Sequence, residues 1–241
     1  MSYMAFERLY KHQDIILKKI FDNERAIFPG ARVILVGGTA LARCYLQHRA
    51  SYDLDFFVNA RFDPSVIQSR LSNAGAPLRM VEIVNDPMFA IELHGVVNID
   101  GEPLRVSVVE DIYADLFPVR TVSGIRTETV EGLYHRKIRT LTGSGDGIVS
   151  STGRMVSAGA RQTARDLFDL YVLSKEIKPL MESMREINEH GAAVPEALLI
   201  SGFRRIRWME LLDEFEALEK AEKYSGIRLF DMKRYFDEVL R

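Results

Sequence analysis

The sequence predicts an α+β protein, a mixed β-sheet core flanked by helices and followed by a helical C-terminal region. Three observations carry this expectation. The chain opens in the order helix, strand, glycine turn, helix, strand; short β-prone runs then crowd residues 78–109; and beyond Gly124 helical periodicity takes over. The boundary is placed between residues 127 and 128, with the sheet core at 1–127 and a helical domain at 128–241.

Each element has a local reason. Phe6, Leu9, Tyr10, Ile16, Leu17 and Ile20 recur at helical spacing over residues 5–27, and Pro29-Gly30 stops that helix. Val33-Ile34-Leu35-Val36 is a short apolar strand that ends at Gly37-Gly38, after which Thr39-Ala40-Leu41-Ala42 favours helix. Asp53 to Val58 reads as a second strand. Asp63-Pro64 supplies an N-cap and a first-turn proline for a helix through about Ala74. Arg79–Val84, Phe89–Leu93, Val96–Ile99 and Leu104–Val109 are β-prone runs separated by Asn85-Asp86-Pro87 and Asp100-Gly101, a pattern of antiparallel hairpins that makes the sheet mixed. Helical patterns cover 129–142, 161–176 and most of 195–240. The Gly- and Ser-rich stretch from Gly143 to Gly159, which carries Arg154, reads as a flexible loop, with a lid or acceptor-binding segment as the sharper alternative. No internal repeat is present.

Composition excludes several classes of function. Acidic and basic residues number 34 and 32, a net charge of -2, so nothing marks a globally basic nucleic-acid binder, and any such contact is a local patch. Cys44 is the only cysteine, which rules out an intrachain disulfide and fits a reducing, cytoplasmic setting. No signal-peptide pattern opens the chain, and no apolar run approaches the ~18 residues of a membrane span.

Chemistry concentrates between residues 33 and 58. Asp53 and Asp55 stand two apart on a strand, so both carboxylates project to one side while Leu54 faces the core. Such a pair can grip magnesium, which takes one or two carboxylates together with substrate phosphates. A lone pair of this kind is more often a solvated strand face. Gly37-Gly38 allows a phosphate to approach the backbone, although a plain tight turn is the commoner meaning. The segment GGTALA lacks the third glycine of a dinucleotide fingerprint, and no Gly-Lys-Ser/Thr follows as a P-loop requires.

Taken together, GGTALA followed by HRASYDLDFF resembles the signature of the AbiEii/AbiGii-type nucleotidyltransferases, toxins of bacterial toxin–antitoxin and abortive-infection systems within the polymerase-β-like superfamily. The resemblance is close over about residues 33–58. It implies that Gly37 and Gly38 contact a nucleoside triphosphate, that Ser51 hydrogen-bonds phosphate, and that Asp53 and Asp55 hold Mg2+ or Mn2+ and are catalytic. Arg49 either pairs with phosphate or braces the turn. Downstream, Lys137 in HRKIRTL and the element Arg165-Asp166-Leu167-Phe168-Asp169-Leu170 fit the order in which relatives carry a lysine and then an R-D-x-x-D-L helix. Lys137 would then neutralise triphosphate charge. Asp166 becomes the leading candidate for the base that activates an acceptor hydroxyl, with Asp53 as the other. An acidic i,i+3 pair beside arginine is also common on solvated helices.

One departure stands out. The wider superfamily places a third carboxylate on a later strand, where this chain has Ser107 at the centre of Leu104–Val109. His48, His94 and His135 lack zinc-ligand spacing and read as surface or packing residues. The cluster Arg204-Arg205-Ile206-Arg207-Trp208 reads as an exposed helix face rather than an RNA contact.

The resemblance implies a magnesium-dependent enzyme that moves a nucleoside monophosphate to an acceptor hydroxyl, on tRNA or another RNA, with growth inhibition as the outcome and a cognate antitoxin as partner. The helical domain would complete the active site. A catalytically inactive binding protein of the same fold and an aminoglycoside-type nucleotidyltransferase are the rival readings.

Overall fold

A computed structural model describes residues 4–85, 90–111, 113–142, 162–191 and 193–241. The expected loop at 143–159 and Asp86-Pro87 lie outside the described residues. Helix α1 (Met4–Asp22) buries Ile16, Leu17 and Ile20, and a four-residue turn of helix, α2 (Glu24–Ile27), follows before Gly30 turns the chain with φ +76°. Strand β1 (Val33–Val36) leads directly into α3 (Gly37–Ala40), which widens into a π-helical turn over Leu41–Leu46. Strand β2 (Leu54–Val58) is followed by α4 (Pro64–Asn73), whose N-cap Asp63 accepts from the backbone N–H of Ser65 and Val66. Strands β3 (Arg79–Val84), β4 (Glu92–Ile99), β5 (Glu102–Glu110), β6 (Val119–Val122) and β7 (Ile125–Glu128) complete one seven-stranded sheet in the order β3-β4-β5-β2-β1-β7-β6. The sheet is mixed as expected: β2 runs parallel to β5 and β1 parallel to β7, and the other pairs are antiparallel. All four residues of β1 are buried, which is why that strand reads as an unbroken apolar run.

Beyond β7 the described residues are mostly helical. Helices α5 (Val130–Thr142), α6 (Ala164–Glu176), α7 (Leu180–Glu189), α8 (Glu196–Arg204), α9 (Leu212–Glu216) and α10 (Leu229–Val239) follow. Helix α5 sits at the centre: it packs on β7 and α3 on one side and on α6, α7 and α8 on the other. Its buried side chains include His135, Arg136, Lys137 and Arg139. A single apolar cluster runs from Ile16 in α1 to Phe236 in α10.

The structure departs from the sequence expectations at several elements. The runs Phe89–Leu93 and Val96–Ile99 contribute to one strand, β4, because Gly95 is accommodated inside it: a Cβ there would lie 3.1 Å from the Arg79 carbonyl of β3. The hairpin β6–β7 was missed. Its turn, Ser123-Gly124, has both residues at positive φ (50° and 80°), the geometry that primed two-residue turns demand, between strands of only four residues. Helix α7 was also missed, whereas most of the stretch 195–240 is helical as expected, in α8, α9 and α10 with short 3-10 turns between them.

Candidate active site

The site grows from the junction of β1, α3 and the segment that precedes β2. Val36 at the end of β1 is paired with Asp55 on β2, so the next residue, Gly37, lies against the Asp55 carboxylate. Gly37 has φ +72°, and a Cβ built on it would sit 2.6 Å from Asp55 Oδ2. Glycine is therefore required both by conformation and by space. At Gly38 a Cβ would run into Arg49 Nη2 and lie 3.0 Å from Ser51 Oγ. Thr39 fastens the opposing segment: its Oγ1 lies 2.9 Å from Ser51 Oγ and also reaches the Asp53 carbonyl, while Gln13 Nε2 donates to the Ser51 carbonyl at 2.7 Å. On its other side, residues 48–50 form a short antiparallel bridge with residues 219–221, in which Ala50 N–H donates to the Glu219 carbonyl and Ala221 N–H to the His48 carbonyl, each at 2.9 Å.

Asp53 and Asp55 open into one cleft of about 570 Å³ on the sheet. Arg165, at the start of α6, reaches into it and places Nη1 3.1 Å from Asp53 Oδ2. Strand register builds the cleft floor. Asp55 on β2 is opposite Ser107 on β5, Ser107 is opposite His94 on β4, and His94 is opposite Glu82 on β3, so the four side chains form a row across one face. Within the row, His94 Nδ1 lies 3.0 Å from Ser107 Oγ and Nε2 lies 2.8 Å from Glu92 Oε2. The Glu92 hydrogen bond raises the His94 imidazole above its ordinary value against the opposing effect of partial burial.

Behind the glycine turn lies a buried ionic cluster. Asp169, fully buried on α6, receives Arg49 Nε on Oδ1 at 2.6 Å and Arg49 Nη2 on Oδ2 at 2.8 Å. Lys137 Nζ lies 2.7 Å from Asp169 Oδ2 and 2.6 Å from Asp166 Oδ1, and Thr163 donates to Asp166 Oδ2 at 2.7 Å. His48 Nε2 lies 2.6 Å from Asp169 Oδ1, and its ring stacks on Phe168. Burial alone would raise the Asp169 carboxyl, yet Arg49 and Lys137 beside it hold it well below the usual carboxylate range. Burial pushes the His48 imidazole down, so it stays neutral and donates from Nε2. Among the described residues, the two carboxylates of this cluster face two cations, Arg49 and Lys137.

The residues expected from the sequence thus divide into two layers. Asp53 and Asp55 line the cleft, and Gly37, Gly38 and Ser51 support them from behind. Arg49, Lys137 and Asp166 belong to the buried cluster: they are respectively 3%, 6% and 1% exposed and bonded to one another through Asp169 or directly. Of the two roles left open for Arg49, the contacts present are those of a brace. Sequence reading missed the cleft roles of Arg165, His94 and Glu92. Arg165 was visible as the first residue of the R-D-x-x-D-L element, whereas the pairing of His94 with Ser107 depends on strand register that no local pattern reveals.

The donor set suits a hard divalent cation. Two carboxylates at the start of β2, Asp53 just before the strand and Asp55 on it, in a cleft to which Glu82 and Glu92 add negative charge, match the few-ligand, oxygen-only coordination magnesium accepts when phosphates and water complete its shell. Among the described residues no group of three or more His, Cys, Asp or Glu is placed to hold a metal ion by itself.

A mixed sheet carrying a glycine turn and an Asp-x-Asp pair at its centre, with a helical region packed behind, defines a nucleotidyltransferase. The family model described as "Nucleotidyl transferase AbiEii toxin, Type IV TA system" matches residues 24–240, and the chain belongs to that family. The chain is similar in fold to JHP933 from Helicobacter pylori, at 19% identity and a TM-score of 0.54, covering 100% of this chain and 91% of that one. It is likewise similar to MenT4, a nucleotidyltransferase toxin from Mycobacterium tuberculosis, at 17% identity and a TM-score of 0.55, covering 96% of this chain and 82% of that one. Among curated proteins none matches the chain. Among the described residues no helix is long and apolar enough to cross a membrane.

Proposed function

We propose that this toxin-family nucleotidyltransferase moves a nucleoside monophosphate from a nucleoside triphosphate to a hydroxyl of RNA, such as the 3′ end of a transfer RNA, and releases pyrophosphate. The observation that carries the proposal is the convergence of Asp53, Asp55 and Arg165 on one open cleft, with Gly37 leaving the Asp55 carboxylate room. Asp53 and Asp55 would hold Mg2+ or Mn2+, which when bound neutralises triphosphate charge and polarises the α-phosphorus. Arg165 exchanges its bond to Asp53 for a triphosphate oxygen, to which its planar fork is suited. Gly37 and Gly38 let the triphosphate approach the backbone, and Ser51 offers its hydroxyl beside them. Lys137, Asp166 and Asp169 act from the helical region, 128–241, by fixing the segment 48–53 against the sheet through Arg49. Most of the rate enhancement comes from positioning and charge stabilisation, as phosphoryl-type transfers require. The reaction belongs in the cytoplasm, with a cognate antitoxin protein restraining it.

The test is incubation of the protein with labelled ATP, CTP, GTP and UTP in turn, Mg2+ or Mn2+, and total bacterial RNA, comparing wild type with Asp55→Ala. Label on RNA that disappears in Asp55→Ala is expected. No transfer with any triphosphate sinks the proposal, and transfer that survives Asp55→Ala refutes the site. Label on an added aminoglycoside instead of RNA would identify a small-molecule acceptor. Ser107 at the place of the third carboxylate favours a second reading, a non-catalytic binder, which predicts triphosphate binding by calorimetry without turnover.

A further inference from the structure

We propose that Ser107, His94 and Glu92 form a proton relay that replaces the missing third carboxylate and activates the acceptor hydroxyl. The inference rests on the nucleotidyl-transfer reading above. Three observations converge on it. Ser107 stands directly across the β2–β5 ladder from Asp55, so its hydroxyl faces the place where an incoming hydroxyl must meet the triphosphate. Its Oγ is 3.0 Å from His94 Nδ1, and His94 Nε2 is 2.8 Å from Glu92 Oε2. The side chains of His94 and Glu92 are 33% and 28% exposed, within a cleft rather than in the core.

The bonding fixes the direction of the relay. A carboxylate only accepts, so His94 holds a proton on Nε2 for Glu92 and presents the Nδ1 lone pair to the Ser107 O–H. A hydroxyl with a base in reach, the base oriented by a third group, is the arrangement that moves a proton off oxygen. As the acceptor oxygen bonds to the α-phosphorus and the bond from that phosphorus to pyrophosphate breaks, the acceptor proton passes to Ser107 Oγ while the Ser107 proton passes to His94 Nδ1. Glu92 then faces an imidazolium, and the ring returns its proton to water after pyrophosphate departs. The Glu92 hydrogen bond that raises the basicity of the ring favours it as the temporary holder of that proton. Both ring nitrogens are engaged, so His94 has none left over as a metal ligand. Asp166 is not placed for the task, since its carboxylate is buried between Lys137 and Thr163.

The experiment measures transfer of each labelled triphosphate to total bacterial RNA by wild type, Asp55→Ala, His94→Ala, Glu92→Gln and the double variant His94→Ala/Ser107→Asp, with thermal unfolding of each. His94→Ala is expected to lose about 10²- to 10⁴-fold in kcat, the range of general-base catalysis, with KM for the triphosphate changed by no more than about twofold. Added imidazole should restore at least about tenfold of that loss, and Ser107→Asp should restore activity by returning a carboxylate to the strand. Glu92→Gln, which keeps the shape of the side chain, should fall by roughly tenfold or more even if His94→Ala folds poorly. An active wild type with a dead Asp55→Ala and a His94→Ala within about threefold of wild type overturns the relay alone. A loss in His94→Ala that neither imidazole nor Ser107→Asp relieves also overturns it. A wild type that labels nothing overturns the transfer reading and the relay together.

Discussion

Arg49 and Asp169 lie 120 positions apart and meet as a bidentate pair with no more than 4% of either side chain exposed. This bond joins the segment that presents Asp53 to the helix that presents Arg165. Breaking a buried pair leaves an uncompensated charge, which costs about 3–5 kcal/mol. Arg49→Met is therefore expected to lower unfolding stability by that amount in urea titrations, and Arg49→Lys to recover only part, because an ammonium lacks the fork. An Arg49→Met protein as stable as wild type but with weakened triphosphate binding would show that Arg49 serves phosphate instead.

Gly37→Ala combines a positive φ with a clash against Asp55. A stability loss of about 1–3 kcal/mol is expected from backbone strain, together with loss of transfer activity as the Asp55 carboxylate is displaced. Circular-dichroism melts and the RNA-labelling assay measure the two effects. Gly30→Ala, also at positive φ but with nothing near its added Cβ, is the control and should retain activity.

Arg165→Ala removes the cleft arginine without touching the buried cluster. Loss of a charged hydrogen bond of about 1.5–3 kcal/mol corresponds to a roughly 10- to 100-fold rise in KM for the triphosphate. Lys137→Met should behave differently, with a large fall in stability, since it leaves Asp166 and Asp169 without their shared cation. Equal effects of the two changes on KM, with no difference in stability, would contradict the two-layer arrangement.

The buried His48 gives acid sensitivity a sign. Burial holds its folded pKa below the ordinary 6.5, so as pH falls below that value the unfolded chain takes up a proton that the folded chain refuses. Stability drops on acidification by up to about 1.4 kcal/mol per pH unit from this group. Asp169, held well below 3.8, contributes fully above that pH and is lost as pH falls further. His94 acts in the opposite sense, stabilising below its unfolded pKa and ceasing to do so as pH rises through its raised folded value. The comparison that isolates His48 is urea stability of wild type against His48→Asn between pH 7 and 5. Wild type should lose ground relative to the variant on acidification, and parallel curves would contradict the assignment.

How much of this was legible in the sequence follows from the range of the interactions. Gly37, Gly38, Asp53 and Asp55 are positioned by one strand, one turn and the next strand, so their proximity was readable from sequence order, while the roles proposed for them came from the family resemblance. The N-cap at Asp63 and the turn at Asp100-Gly101 were readable for the same reason. Lys137, Asp166 and Asp169 fall on helices whose facing depends on packing, and sequence order could not show that both acids turn inward to one lysine. The row Asp55, Ser107, His94, Glu82 joins four strands through register, and a shift of one residue in any pair would dissolve it. His94 consequently looked like an ordinary packing residue.

The bridge between residues 48–50 and 219–221 also sets an order of events in time. Chain synthesis runs from the N-terminus, so the Asp-x-Asp segment emerges well before its clamp, 219 − 50 = 169 residues later. Until Glu219 and Ala221 have left the ribosome, His48 and Ala50 have no backbone partners at these positions. A nascent chain cut short before residue 219 would thus carry every cleft residue named above and still lack one of the contacts that fix their segment.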